Sequence, residues 1–262
     1  MKLIFANVSH GFVYAHDLEK HESMVFKKFS IPGYADYFKN QKPDILCLSE
    51  ALIDNKKGDS LFVNEVSKAT GLKNVKILRS EDSWLYVGKH YGMAVLSRYP
   101  IEEYETFKLP NPNFETIRPN GDHWVLHDKY AQYLRLNING QDLNLFTLHY
   151  FPVHHFKKSI QSKEMKPYRK ALSEYFTSKG FDTPTVIVGD FNDKGAKLKD
   201  VFPELFEGNI LKEAIEVETT ICDGTDQLDH ILYTHKLIKL KTAKTEKFLS
   251  DHYALISEFE LP

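Results

Sequence analysis

Cysteine is scarce in this chain. Cys47 and Cys222 are the only two in 262 residues, too few for a disulfide framework and without zinc-finger spacing. Cys47 sits in the apolar run Ile45-Leu46-Cys47-Leu48 and is expected as a small core residue. Long hydrophobic runs are missing too. None approaches the length of a membrane span, and the apolar stretch after Met1 is too short for a signal peptide. The cytoplasm is the expected compartment, and the sequon Asn7-Val8-Ser9 then reads as coincidence. Positive charge is not in excess, since the formal net charge is −2. No global field draws the chain onto nucleic acid, although a local basic groove is compatible with that balance. Linkers, repeats and low-complexity tracts are absent, so one domain over residues 1–262 is expected.

What the chain has instead is a series of short apolar runs, each cut off by polar residues. The run Thr185-Val186-Ile187-Val188 stops at Gly189-Asp190-Phe191-Asn192-Asp193. A run of this kind reads as a strand buried on both faces, and in α/β proteins binding groups stand outside strand ends. Asp190 and Asn192 would point the same way if the chain stays extended. An Asx-type turn explains the same residues equally well. Residues 3–6 stop at Asn7, 45–48 at Ser49-Glu50, and 143–148 at His149-Tyr150. Asp229 lies inside the strand candidate 228–233, where a buried carboxylate requires a partner. Ser250-Asp251-His252 precedes a last strand beginning Tyr253-Ala254-Leu255-Ile256.

Helices are expected after Ile31-Pro32-Gly33, where Pro32 can open one, over 58–70 with Gly71 as terminator, and over 158–178. A charged helical segment is expected after the cluster His10, Phe12, Tyr14 and His16. Further strands are expected at 75–78, 84–87, 92–97 and 237–240, and Asn139-Gly140 signals a hairpin. Residues 108–128 carry three prolines and little periodicity, which reads as a long functional loop or insertion. Strands joined partly by hairpins and partly by helices predict an α/β domain with mixed sheets covered by helices.

If the strands lie side by side, the polar stops share one rim. That rim would hold the carboxylates Glu50, Asp190, Asp229 and Asp251, the amides Asn7 and Asn192, and the imidazoles His149 and His252. Crowded carboxylates repel, and ionising them all needs a cation. Oxygen ligands favour a hard ion, Mg²⁺ or Mn²⁺. A histidine beside an aspartate is held in one tautomer and made more basic. Metal, water, orienting aspartate and histidine are the parts required to hydrolyse a phosphate ester. Singly, each carboxylate reads as a turn or cap and His149 as a core histidine; their number and placement favour the joint reading.

The stretches "PDILCLSE", "YGMAVLSRYPI", "LFTLHY", "TVIVGDFND", "QLDHIL" and "LSDHYAL", in that order after Asn7, resemble the endonuclease/exonuclease/phosphatase superfamily. The resemblance spans nearly the whole chain. It implies a four-layer α/β/β/α sandwich of two packed mixed sheets with outer helices, and metal-dependent phosphoester hydrolysis by in-line attack of water. Residue by residue, it implies that Glu50 is the principal metal ligand, supported by Asn7 and Asp251. Asp190 would orient or deprotonate the water, and Asn192 would hold the water or a phosphate oxygen. His252, oriented by Asp229, and His149 would face the scissile phosphate and share the acid, base or charge-stabilising role.

Residues outside these motifs choose the substrate. Abasic-site enzymes of the family carry a tryptophan shortly before the strand that bears the aspartate equivalent to Asp229. Here that segment, Ile221-Cys222-Asp223-Gly224-Thr225-Asp226-Gln227, has no aromatic. Lysines at 157–170 read as a solvated helix face rather than a nucleic-acid contact. Arg118, His123, Trp124 and His127 in the long loop, with Tyr150, His154 and His155 beyond His149, are the candidates for substrate contact. Adjacent histidines on a strand point apart, so His154-His155 is not read as a metal site. Three readings follow: a phosphodiesterase or phosphomonoesterase with a small or lipid-derived substrate, a nuclease of modest specificity, and a non-catalytic binding module on the same fold.

Overall fold

The computed structural model describes residues 1–14, 26–55, 57–118, 121–222 and 224–262. His16, the charged segment around it and Asp223 lie outside the described residues. The chain runs β1 (Lys2–Asn7), β2 (Phe12–Tyr14), β3 (Phe26–Phe29), α1 (Ile31–Gln41), β4 (Ile45–Ile53) and α2 (Leu61–Thr70). It continues β5 (Asn74–Asp82), β6 (His90–Ser97), β7 (Ile101–Lys108), β8 (Glu115–Ile117), β9 (His123–Val125), β10 (Tyr130–Ile138) and β11 (Gln141–His149). Then come α3 (Lys166–Thr177), β12 (Thr185–Asp190), α4 (Leu198–Val201), β13 (Leu211–Glu213), β14 (Asp229–Thr234), β15 (Lys239–Glu246) and β16 (Ala254–Glu260).

Two six-stranded sheets form, in the orders β15-β16-β1-β4-β6-β5 and β13-β14-β12-β11-β10-β7. Side-chain alternation makes them the middle layers of a sandwich. Leu3 and Phe5 of β1 pack with Val186 and Val188 of β12 and Ile231 of β14 between the sheets. Ile4 and Ala6 face the other way, onto Tyr34 and Phe38 of α1 and Phe62 and Val66 of α2. Ile187 and Leu232 likewise face outward, to a layer that includes Leu172 and Phe176 of α3. This is the expected four-layer arrangement.

Local signals set the helices. Ser30 caps α1 by accepting from Gly33 N at 3.2 Å, with Pro32 in the first turn. Ser60 caps α2 by accepting from Val63 N at 3.0 Å, and Gly71 ends it with φ +75°. The hairpin β10–β11 turns through Asn139 and Gly140, both at positive φ, as its type I′ signal requires.

Four expectations are corrected. The helix expected over 158–178 starts only at Lys166. Residues 84–87 are not a strand but the turn between β5 and β6, closed by Tyr86 N donating to Ser83 Oγ at 2.9 Å and by Ser83 N donating to Lys89 O at 2.8 Å. The strand expected at 237–240 is shifted to Lys239–Glu246. The loop 108–128 contains the hairpin β8–β9, which is too short to show periodicity.

Candidate active site

The topology explains why the polar stops meet. β1 and β4 are parallel, as are β11 and β12, so their C-terminal ends share one rim. β14 and β16 run antiparallel to these neighbours and begin at the same rim. Register puts His149 beside Asp190, and Asp190 beside Asp229, on three adjacent strands. Asn7 and Asp190 continue the inward phase of Leu3, Phe5, Val186 and Val188, so they lie at the mouth between the two sheets.

Glu50 reaches the mouth by a different route. β4 does not stop at Ser49-Glu50 as its sequence suggested; it bulges there and continues to Ile53, with a register shift between Leu48 and Ala51 and φ +51° at Glu50. Without the bulge, Glu50 would share the face of Leu46 and Leu48 toward the helices. Gly189 has its own geometric reason: a Cβ there would lie 2.3 Å from Leu148 O.

Asp229 and His252 form a dyad, with His252 Nδ1 2.7 Å from Asp229 Oδ2. The other Asp229 oxygen is buried without a partner among the described residues. Although burial opposes the charge, Asp229, Asp190 and Asp251 hold the His252 imidazolium well above its ordinary range. Asp190 accepts from Asn7 Nδ2 at 3.3 Å and from Asn192 N at 3.0 Å. The second bond closes an Asx turn, so the turn reading and the site reading of the same residues both describe the geometry. Asn192 sits at φ +51° and its amide donates to Tyr150 O at 3.1 Å. The chain is therefore not extended at Asn192, and its side chain does not run alongside that of Asp190. Asp251 is tied through Ser9 to the Asn7 turn: Ser9 Oγ donates to Asp251, and Ser9 N donates to Asn7 Oδ1 at 3.1 Å.

Two residues that sequence reasoning left without a role complete the site. His10, fully buried at φ +56°, places Nε2 3.3 Å from Glu50 Oε2 and stacks on Tyr91 at 4.6 Å. Lys129, only 4% exposed, places Nζ 3.2 Å from His149 Nε2. His149 Nε2 is also 3.7 Å from Asp190 Oδ2 and 3.8 Å from Glu50 Oε1. Burial and the Lys129 charge hold His149 well below its ordinary range, hence neutral. Burial also lowers Lys129, against the pull of Glu50 and Asp190. Burial would raise Glu50, but His10, His149 and Lys129 bring it far below the usual carboxylate range. Burial and the neighbouring Asp229 push Asp190 up to about 7. The only sequence signals for the missed pair were a histidine two residues beyond Val8 and a lysine at the head of an apolar strand.

The donor set fits a divalent cation. Carboxylate oxygens of Asp190 and Asp229 lie within 4.8 Å of each other, and one Asp229 oxygen is buried with no hydrogen-bond partner among the described residues; the His252 imidazolium, bonded to the other Asp229 oxygen, does not itself act as a donor to a cation. The carboxylate crowding that lifts Asp190 is what a bound cation relieves.

The expected substrate contacts divide. Trp124 faces inward from β9, 3.8 Å beneath the Arg118 guanidinium and 5.2 Å from the His155 ring. His154 packs on His155 at 4.1 Å. His123, one residue from Trp124, takes the opposite face of the hairpin, where it is exposed and pairs with Glu115 at 3.1 Å. Tyr150 is wholly buried against Phe151 and Phe202. It continues the outward phase of β11, so it lies beneath the rim and not on it.

A profile of the endonuclease/exonuclease/phosphatase family matches residues 7–252. A search of curated protein sequences finds no match. Among solved structures, an endonuclease/exonuclease/phosphatase from Beutenbergia cavernae superposes with a TM-score of 0.72 at 15% identity, covering 100% of this chain and 71% of that one. The catalytic domain of human nocturnin, solved with a bound sulfate anion, gives 0.61 at 16% identity over 100% and 93%. A mannosyl-6-phosphatase from Bacteroides thetaiotaomicron gives 0.62 at 13% identity over 100% of both chains. At these identities the superpositions establish the fold, and the profile match across most of the chain establishes more: the chain belongs to the endonuclease/exonuclease/phosphatase family.

Proposed function

We propose that this protein is a divalent-metal-dependent phosphoester hydrolase that uses in-line attack of water, with a phosphodiester or phosphomonoester substrate. Members of the family are phosphoesterases and nucleases. The observation that carries the reading is the meeting of Glu50, Asp190, Asn7 and the Asp229–His252 dyad at one mouth. Glu50, with Asn7 and Asp251, would hold Mg²⁺ or Mn²⁺, which supplies charge neutralisation and a bound water of lowered pKa. Asp190 orients or deprotonates the attacking water, and Asn192 fixes the loop that carries it. His252, kept cationic by Asp229, stabilises charge on the phosphate or gives up a proton to the leaving oxygen. Neutral His149, backed by Lys129, faces the same phosphate. Arg118, Trp124 and His154 are proposed on the substrate side of the rim. No described helix is long and apolar enough to cross a membrane.

Hydrolysis of bis-p-nitrophenyl phosphate and p-nitrophenyl phosphate, with Mg²⁺ or Mn²⁺ and with EDTA, tests this reading. Release that EDTA and Glu50→Gln both remove is expected, and the preferred ester separates diesterase from monoesterase. No release together with no divalent-ion binding by calorimetry would favour a non-catalytic module. The second reading, a nuclease, predicts cleavage that weakens steeply with salt.

A further inference from the structure

The polar stops are not the only donors at the mouth. His10 is fully buried, and three neighbours fix its ring. Nδ1 lies 2.6 Å from Ser83 Oγ. Tyr91 stacks on the ring at 4.6 Å, and Trp84 meets it at 5.7 Å with an interplanar angle of 74°. Ser83 is itself held, since its Oγ accepts from Tyr86 N at 2.9 Å. The backbone bends to present this ring. Ser9 and His10 are consecutive non-glycine residues at φ +44° and +56°, a conformation kept only where the surroundings impose it.

The other ring nitrogen has no such partner. Nε2 is buried and makes no hydrogen bond among the described residues. Glu50 Oε2 lies 3.3 Å from it, but off the line that a ring N–H bond requires. With the proton on Nδ1, donated to Ser83 Oγ, Nε2 keeps its lone pair beside a carboxylate oxygen. A ligating histidine is prepared in this way, one nitrogen tied to a fixed acceptor and the other left open. Two donors side by side on one ion, each about 2.0–2.2 Å from it, stand about 3–3.5 Å apart. The separation of His10 from Glu50 falls in that range. His149, 3.8 Å from the other Glu50 oxygen, differs because Lys129 Nζ already engages its Nε2 at 3.2 Å.

Resting on the hydrolase reading and its ion at Glu50, we propose that His10 Nε2 is a ligand to that ion, so that the site selects a transition ion over Mg²⁺. Imidazole nitrogen is a good donor to transition ions, whereas Mg²⁺ takes oxygen ligands and retains water. His10 gives its Nε2 lone pair and displaces one water from the ion. No proton is released, because the ring proton stays on Nδ1.

Calorimetric titration of Co²⁺ and of Mg²⁺ into the metal-free protein tests this. His10→Asn tolerates the left-handed backbone, keeps an amide near Ser83, and has no atom at the Nε2 position. Its Co²⁺ affinity is expected to fall about tenfold to a hundredfold, while Mg²⁺, taking water in place of the ring, loses far less. An equal loss for both ions would make His10 a positioning residue for Glu50 and overturn the ligand assignment, leaving the hydrolase reading standing. Unchanged affinity for both ions would do the same. Failure of the wild type to bind either ion would remove the metal-dependent reading as well. Should His10→Asn not fold, pulsed electron paramagnetic resonance of Mn²⁺ bound to the double variant His149→Gln, His252→Gln decides. Coupling to an imidazole nitrogen is expected there, and its absence overturns the assignment.

Discussion

At the scale of single residues, the site depends on which groups keep their charge when buried. Asp229 is fully buried and supports His252 through one oxygen. Asp229→Asn keeps the shape but removes the charge that holds the imidazolium. We expect kcat to fall by about 10²–10⁴, as for loss of a general acid or base, with far-ultraviolet circular dichroism unchanged. A second buried histidine behaves differently. His230 lies 3.1 Å from Asp193 Oδ1 and against Glu213. Burial opposes its charge, yet these two carboxylates raise it to about 10. A histidine in an unfolded chain titrates near pH ~6.5, so the ion pair contributes full stability below that pH and loses it as pH rises through about 10. Melting temperature should fall between pH 7 and pH 10. His230→Gln should melt lower than wild type at pH 6 and show less of that decline. An identical slope in the variant would assign the pH dependence elsewhere.

Elements carry the site through two departures from regular strand geometry. The bulge in β4 turns Glu50 from the helix face to the mouth. Glu50→Gln should preserve the bulge and the fold while nearly abolishing turnover, measured beside an unchanged urea midpoint. The close approach of β11 and β12 requires a residue without Cβ at 189. Gly189→Ala drives a methyl into the Leu148 carbonyl and should cost about 1–3 kcal/mol, read from chemical denaturation. Loss of activity there would be secondary, because the strand ends bearing His149 and Asp190 would be forced apart.

For the whole molecule, the two sheets bring carboxylates from both halves of the chain into one volume. Glu50 and Asn7 come from one sheet, Asp190 and Asp229 from the other. A divalent ion bound there links both sheets in the folded state alone. Saturating Mg²⁺ or Mn²⁺ should therefore raise the melting temperature, by the equivalent of about 2.7 kcal/mol at a hundred times Kd. EDTA, or Glu50→Gln, should remove the increase. A melting temperature indifferent to both ions would contradict a metal centre at this mouth.

Much of this was legible along the chain. Abrupt polar stops and turn chemistry are local properties, so the ends of β1, β11 and β12, the start of α1 around Pro32, the end of α2 at Gly71 and the Asn139-Gly140 turn could be read directly. The dyad of Asp229 and His252 was not legible from local pattern; the family resemblance implied it. β7 escaped notice because its exposed face carries Glu102 and Glu105 in a half-buried edge strand. The roles of His10 and Lys129 could not be read at all. Neither sits at the end of an apolar run, and each acquires its meaning from a strand distant in sequence. The sequence by itself determined that β1, β11 and β12 are buried strands ending in Asn7, His149 and Asp190, since an apolar run and its polar stop follow from neighbouring residues. Only the tertiary structure decided that Glu50 turns inward, that His10 and Lys129 flank it, and that His123 and Tyr150 do not. Those outcomes depend on strand register and a bulge, which are fixed by packing between segments far apart in the chain.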